Sequence, residues 1–324
     1  MANVYINKPI IDKSTYLSVI VTFYNQERFV DKCLQSIFEQ QTQYSFEIVI
    51  VDDGSVDNTI NIVEKWVRTY PNLIRLLKVE DDNDRSDQIR RVSRCRLLGL
   101  SASKGKYLCF LDGDDFFAST FKFEKQVSML EKNIRCCACL SNYMSTFDGA
   151  DIKKKCQSLP PVFKTRLYVE KHYVPSATMI YRNVSFSCYD DNFDDNSISF
   201  SLFATSLLCF VDEITFCHYK TKDSSWLNKN KNQKNVAILK NIDDSLHFSR
   251  LNKLSIFIRH CSFICGLYSS VKNNINYDVC ADRQFHSFIL KKIINYNHVS
   301  FFDRLIVKLF VHFLILIAKI KKVG

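Results

Sequence analysis

Through the first third of the chain, apolar residues fall into short unbroken runs separated by stretches where they recur at helical spacing. Positions 17–23 (LSVIVTF), 46–51 (FEIVIV), 73–79 and 106–111 (KYLCFL) are continuous and rich in β-branched or aromatic side chains. Such runs predict strands buried on both faces. Between them, 29–39 carries apolar side chains at 30, 34, 37 and 38, while 59–69 and a basic stretch, 88–103, read as two further helices. Asp57 stands where the N-cap of the second helix is expected. Repeated β-α units predict a twisted, mostly parallel sheet flanked by helices, with right-handed crossovers and its ligand at the carboxyl ends of the strands.

The pattern changes after residue 115. A helix is expected over 121–131, strands over 136–142 and 176–181, a helix near 197–206 and a strand over 208–216. The segment 228–235 (NKNKNQKN) has no apolar residue and marks a boundary. We therefore expect one α/β domain over 1–227 and a helical C-terminal region over 228–324.

Composition narrows the chemistry. The 324 residues are 47% apolar and 24% charged, a globular balance. Seven glycines, at 54, 99, 105, 113, 149, 266 and 324, fit neither G-x-G-x-x-G nor a P-loop, and the seven histidines contain no H-E-x-x-H. Thirteen cysteines at irregular spacing, with no C-x-x-C, read as reduced, buried, small apolar residues of a cytoplasmic protein. The net charge of +10 is uneven: residues 1–219 carry a slight acidic excess, and 220–324 carry all of the basic surplus.

The early strands run into polar residues: Thr22-Phe23-Tyr24-Asn25-Gln26-Glu27 after the first, Asp52-Asp53-Gly54-Ser55 after the second, and Asp112-Gly113-Asp114-Asp115 after the fourth. Any one aspartate here reads equally as a turn or cap residue. Five carboxylates delivered to one rim repel strongly unless a cation or a donor-rich ligand lies among them. Asp112 and Asp114, two apart on an extended segment, point the same way, and oxygen-only ligation suits Mg²⁺ or Mn²⁺ bridging to phosphates.

Residues 17–25, the run VDDGSVDNT from 51 to 59, Arg96 with Gly99, and KGKYLCFLDGDD from 104 to 115 resemble the family 2 glycosyltransferases of the GT-A fold, of the bacterial surface-polysaccharide type. The resemblance covers about 16–220, with 1–115 as the nucleotide-binding half and 116–227 as the acceptor half. Three departures stand out: Thr22 where proline is common, Leu97 where an asparagine is usual after Arg96, and Asp194-Asp195 in place of Glu-Asp.

The resemblance implies roles. Thr22, Tyr24 and Glu27 line the nucleoside pocket, Asp52 and Asp53 accept hydrogen bonds from uracil and ribose, and Arg96 sits near ribose or diphosphate. Asp112 meets ribose or the metal, and Asp114 coordinates Mn²⁺ or Mg²⁺. Asp195, opening a helix over 196–206, is the catalytic base, its alternative being a plain N-cap. His218 reads as a turn histidine or as a phosphate or metal contact. The implied activity is inverting, metal-dependent transfer of a sugar from a nucleotide donor, UDP above others, to a saccharide acceptor, lipid-linked, in cell-surface polysaccharide synthesis. A catalytically degenerate nucleotide-sugar binder docked at a membrane is the alternative. A receiver-like phosphoacceptor domain leaves most of the chain unexplained.

The apolar run 309–318, within a candidate helix over 301–322, is too short to span a bilayer and is flanked by lysine and arginine. It reads as an interfacial helix on an anionic membrane surface or as a helix packed on protein. Its aromatics do not alternate with the charges, which argues against nucleic acid as a partner. A peripheral position on the inner face of the cytoplasmic membrane follows from the interfacial reading.

Overall fold

The computed structural model describes residues 4–6, 15–79, 88–164, 175–183, 193, 195, 198 and 207–221. All of these lie in Met1–Leu251, the first of the two units into which the chain divides. The expected helices over 228–324, including 301–322, lie outside the described residues.

The core is a sheet in which β2 (Leu17–Phe23) is flanked by β3 (Phe46–Asp52) and β5 (Tyr107–Asp112), with β4 (Ile74–Val79) beyond β3, all parallel. A short strand, β1 (Val4–Ile6), adds antiparallel to β4. Three helices link the parallel strands: α1 (Val30–Phe38), α2 (Thr59–Thr69) and α3 (Gln88–Ala102). From β2 the chain winds outward through β3 and β4, then α3 carries it back to β5 on the other side of β2. The crevice between β2 and β5 is thus a topological switch point, where open α/β sheets bind ligands.

Burial on both faces accounts for the unbroken apolar runs. Val19, Val21 and Phe23 face a core shared with Val30, Leu34 and Ile37 of α1 and Val63 of α2. Ile20, Val49, Val51 and Phe110 face the opposite core, which holds Cys95 of α3. The latter packing is close: a Cβ at Gly99 would lie 2.4 Å from the Ile20 Cγ2. Among the nine described cysteines all are free, and only Cys156 is exposed.

Beyond β5 the sheet turns mixed. β6 (Phe116–Phe117) and α4 (Lys122–Lys132) come next, followed by β7 (Cys136–Phe147) and β8 (Ala150–Lys155), joined through Asp148 and Gly149 at φ 47 and 81°. β9 (Val162–Lys164), β10 (Ile180–Arg182) and β11 (Leu207–Lys220) complete it. β10 runs antiparallel between β5 and β7; β11 lies parallel to β7, with β6 and β9 antiparallel on it.

Three expectations need correction here. The segment 176–181 is not one strand: Ser176–Thr178 is a 3-10 turn and only Ile180 begins β10. β7 and β11 run well past their expected ends, because β11 is irregular between Val211 and Phe216, where Asp212 and Glu213 break the apolar alternation. Asp57 is not the N-cap residue, which is Asn58. It acts from one position upstream, its Oδ1 accepting the Thr59 N–H at 2.9 Å. Of the helix expected near 197–206, the described residues are Asp195 and Ile198, both helical.

One lysine lies in the core. Lys122 on α4 is fully buried; its Nζ donates to Gln126 Oε1 at 2.6 Å and to Thr215 Oγ1 at 3.3 Å. Burial pushes the amine down to about 8.

Candidate functional site

Three loops meet at the carboxyl ends of β2, β3 and β5. After Phe23 the chain turns through Asn25, at φ 50°, a conformation asparagine tolerates better than most residues. The loop is stitched to the one after β3: Asn25 Oδ1 accepts the Val56 N–H at 2.8 Å, Gln26 N–H donates to Thr59 Oγ1 at 2.8 Å, and Glu27 Oε2 accepts the Asn58 N–H at 2.9 Å. Glu27 is exposed and does not line the cleft described below, so its side chain serves loop-to-loop attachment, not the expected pocket wall.

The aspartates ending β3 are both satisfied internally. Asp52 is buried; its Oδ1 accepts the Ser55 hydroxyl at 2.6 Å and its Oδ2 the Ser55 N–H at 3.0 Å. Burial raises its pKa, and the Ser55 hydrogen bonds oppose that rise. Asp53 Oδ2 accepts from Arg91 Nε at 2.8 Å, with an Arg91 terminal nitrogen at 2.6 Å, and Oδ1 accepts from Arg94 at 3.1 Å. Burial, and then the nearby Asp53 carboxylate, push the Cys95 thiol well above its ordinary value. The Arg91 guanidinium lies 4.0 Å from the centre of the Tyr24 ring.

The aspartates after β5 are arranged differently. Asp112 faces Thr22 across the β2–β5 ladder, and the Thr22 hydroxyl donates to Asp112 Oδ1 at 3.3 Å. Gly113 is required by crowding: a Cβ there would lie 2.2 Å from the Phe23 ring. Burial, reinforced by Asp112, pushes Asp114 up to about 7. Asp115 is buried, its Oδ1 accepting the Tyr219 N–H of β11 at 2.7 Å. Burial and then Asp114 push its carboxyl well above the ordinary range.

One buried guanidinium joins this loop to the far part of the chain. Arg96 donates to both oxygens of Asp112, at 2.9 and 3.0 Å, and to Asp195 Oδ1 at 3.2 Å. The side chain is 5% exposed, so these charge-assisted bonds act in a low dielectric. His218 lies within their field: burial and Lys220 push its imidazole below the ordinary value, against opposing effects of Asp112 and Asp195. Asp194 lies outside the described residues.

A cleft of about 220 Å³ opens among these groups, lined by Thr22, Tyr24, Asp53, Arg91, Asp112 and Asp114, with other residues of the same loops. Of the residues expected from sequence, these bring together Thr22, Tyr24, Asp53, Asp112 and Asp114. Asp52 and Arg96 do not line it: Asp52 holds Ser55 in the loop after β3, and Arg96 holds Asp112. The sequence reading missed Ser55, Arg91 and Arg94. Three residues apart on α3, the two arginines share a helix face, and that spacing opposite Asp53 was the available signal.

Comparison with known proteins follows the same outline. The family model described as Glycosyl transferase family 2 matches residues 18–189. An uncharacterised protein of Mycobacterium tuberculosis is 27% identical over 181 residues, which are 54% of this chain and 49% of that protein. The chain thus spans about half the length of the first curated relatives it matches. A teichoic acid poly(glycerol phosphate) polymerase of Staphylococcus epidermidis is 34% identical over 112 residues, 34% of this chain and 14% of the relative. Among solved structures, S. aureus TarS 1-349 in complex with UDP-GlcNAc superposes with a TM-score of 0.65 at 18% identity, covering 86% of this chain and 80% of that one. At that identity the likeness establishes the GT-A fold. Among the described residues, no helix is long and apolar enough to cross a membrane.

Proposed function

The chain belongs to glycosyl transferase family 2, and from that premise we propose that it is an inverting, metal-dependent glycosyltransferase. It moves a sugar from a nucleotide donor, UDP-linked, to a hydroxyl of a lipid-linked saccharide acceptor in cell-surface polysaccharide synthesis. The observation that carries this reading is the Arg96 guanidinium, which ties Asp112, at the switch point, to Asp195, from a segment 83 residues later in the chain.

The residues fit a hard divalent cation. Asp112 and Asp114 present only oxygens, and their mutual repulsion in a partly buried loop favours a cation between them. No cluster of three ligating side chains occurs among the described residues. Asp112 and Asp114 would hold such an ion, which usually keeps water and substrate phosphate oxygens among its ligands. When bound, the ion offsets charge developing on the departing diphosphate.

The protein's own groups do the rest. Tyr24 and the Asp52-Asp53 loop hold the nucleoside, and the Thr22 hydroxyl fixes Asp112. Asp195 accepts the proton of the attacking acceptor hydroxyl, general-base work of the usual kind. Arg96 orients that carboxylate against the donor-binding loop and adds positive charge beside the phosphates. His218, at the edge of the same field, is a further phosphate or metal contact. The UDP-GlcNAc held by the structurally similar TarS supports a UDP donor, and the teichoic acid polymerase among the relatives supports a cell-surface polymer as the acceptor class. The basic, apolar stretch 301–322 supports peripheral attachment to an anionic membrane surface.

The test is release of UDP from UDP-sugars by the full chain with Mn²⁺ and a membrane extract as acceptor source. Turnover that requires acceptor supports the proposal. Tight UDP binding with no turnover on any UDP-sugar would leave only a donor-binding protein.

A further inference from the structure

Tyr24 and Asp53 are placed above at the nucleoside, where a carboxylate can accept a base N–H and an aromatic ring can stack on a base face. In this structure both functions are already taken by a single side chain. Arg91 is planar, lies 4.0 Å over the Tyr24 ring, and donates to Asp53 through Nε at 2.8 Å and a terminal nitrogen at 2.6 Å. Arg94 donates to the other oxygen of the same carboxylate at 3.1 Å. Arg91 and Asp53 are only 12% and 8% exposed, so the contact is largely desolvated and lies within the wall of the cleft. A guanidinium so placed reproduces the two interactions by which a base with a ring N–H would be recognised, stacking and hydrogen bonding to a carboxylate.

We propose that Arg91 is a built-in occupant of the nucleobase subsite, which an incoming base must displace from Tyr24 and Asp53, so that residue 91 sets the affinity and base selectivity of donor binding. This rests on the donor-site reading of Tyr24 and Asp53. Displacement has a chemical consequence. A base with a ring N–H flanked by carbonyl oxygens, as in uracil, returns an N–H to Asp53 and offers oxygens to the released guanidinium. Cytosine presents a lone pair at that ring position, which would face the Asp53 oxygen without a proton between them, so the exchange selects against it.

The experiment is calorimetric titration of the full chain with uridine, cytidine and UDP, the last with Mn²⁺, for wild type, Arg91→Met, Arg91→Ala and Arg91→Lys. Uridine carries no phosphate, so it reports the base subsite without the diphosphate. Removing the occupant is expected to tighten uridine binding by roughly ten-fold, the size of one desolvated cation–π contact. Uridine over cytidine selectivity should shrink by a similar factor. Arg91→Lys, which keeps the charge but not the planar fork, should fall between. A purely structural role for Arg91 predicts weaker binding in every variant, with lowered thermal stability. Unchanged or weakened uridine affinity in both Arg91→Met and Arg91→Ala overturns the proposal while wild-type UDP binding leaves the donor-site reading standing. If neither wild type nor variants bind UDP, that reading fails and this proposal with it.

Discussion

The loops after β3 and β5 begin alike, with a buried strand running into paired aspartates, and reach opposite electrostatic states. After β3, Asp52 is capped by Ser55 and Asp53 is held by two arginines. After β5, three carboxylates lie close together, and the guanidinium that reaches the first of them, Arg96 on Asp112, is itself divided with Asp195. One loop is neutralised from within and suits recognition of an uncharged group. The other is short of positive charge and suits a cation. The difference comes from α3: Arg91 and Arg94 lie on the turn facing Asp53, and only Arg96 reaches Asp112.

The comparison breaks most severely at Asp195, which is tied to the β5 loop through Arg96. Asp195→Asn should lower turnover by roughly 10²–10⁴, the range for a positioned general base, while UDP affinity stays within about three-fold. Next, the two loops should respond unequally to the same exchange. Asp114→Asn should weaken cation-dependent UDP binding by more than about 100-fold, beyond the usual effect of outer-shell changes. Asp53→Asn should cost only about ten-fold. Calorimetry with and without Mn²⁺ measures both.

A smaller effect is a stability slope in metal-free protein. Folded Asp114 keeps its proton up to about pH 7, whereas the unfolded carboxyl loses it near its ordinary value, so the folded state binds more protons between about pH 4 and 7. Stability contributed by that proton is therefore lost as pH rises through this window, by no more than about 4 kcal/mol. Asp114→Asn should flatten the slope in urea titrations, and Mn²⁺ should reverse it. The smallest effect concerns Lys122, the mirror case of a buried charge without a counter-ion. Its folded pKa of about 8 lies below that of the unfolded chain, so stability rises between about pH 8 and 10. Lys122→Met should remove that rise, by about 3 kcal/mol, when the two proteins' denaturation midpoints are compared across the window.

The parallel half was legible because burial on both faces leaves its strands almost continuously apolar, and the buried Ser18 and Glu47 hydrogen-bond each other across β2 and β3. The runs at 17–23 and 46–51 translate directly into β2 and β3. The acceptor half was less so. β11 carries Asp212 and Glu213 at a bulge, β6 and β9 are two and three residues long, and 176–181 divides between a 3-10 turn and a strand. The carboxylates of the site were visible as motifs at strand ends. Their partners were not: Arg91 and Arg94 look like part of a solvated basic helix until the fold turns that face onto Asp53. Glu27 went the other way, its place in the motif hiding a bond to the Asn58 backbone.

The central claim is that the β5 loop lacks a charge which a divalent ion supplies to a nucleotide diphosphate. Titrating UDP into the full chain with Mn²⁺, and again in excess EDTA, tests it most directly. The account predicts binding that weakens by at least about ten-fold on chelation in wild type, with no such dependence in Asp114→Asn; equal UDP affinity with and without the ion would contradict it.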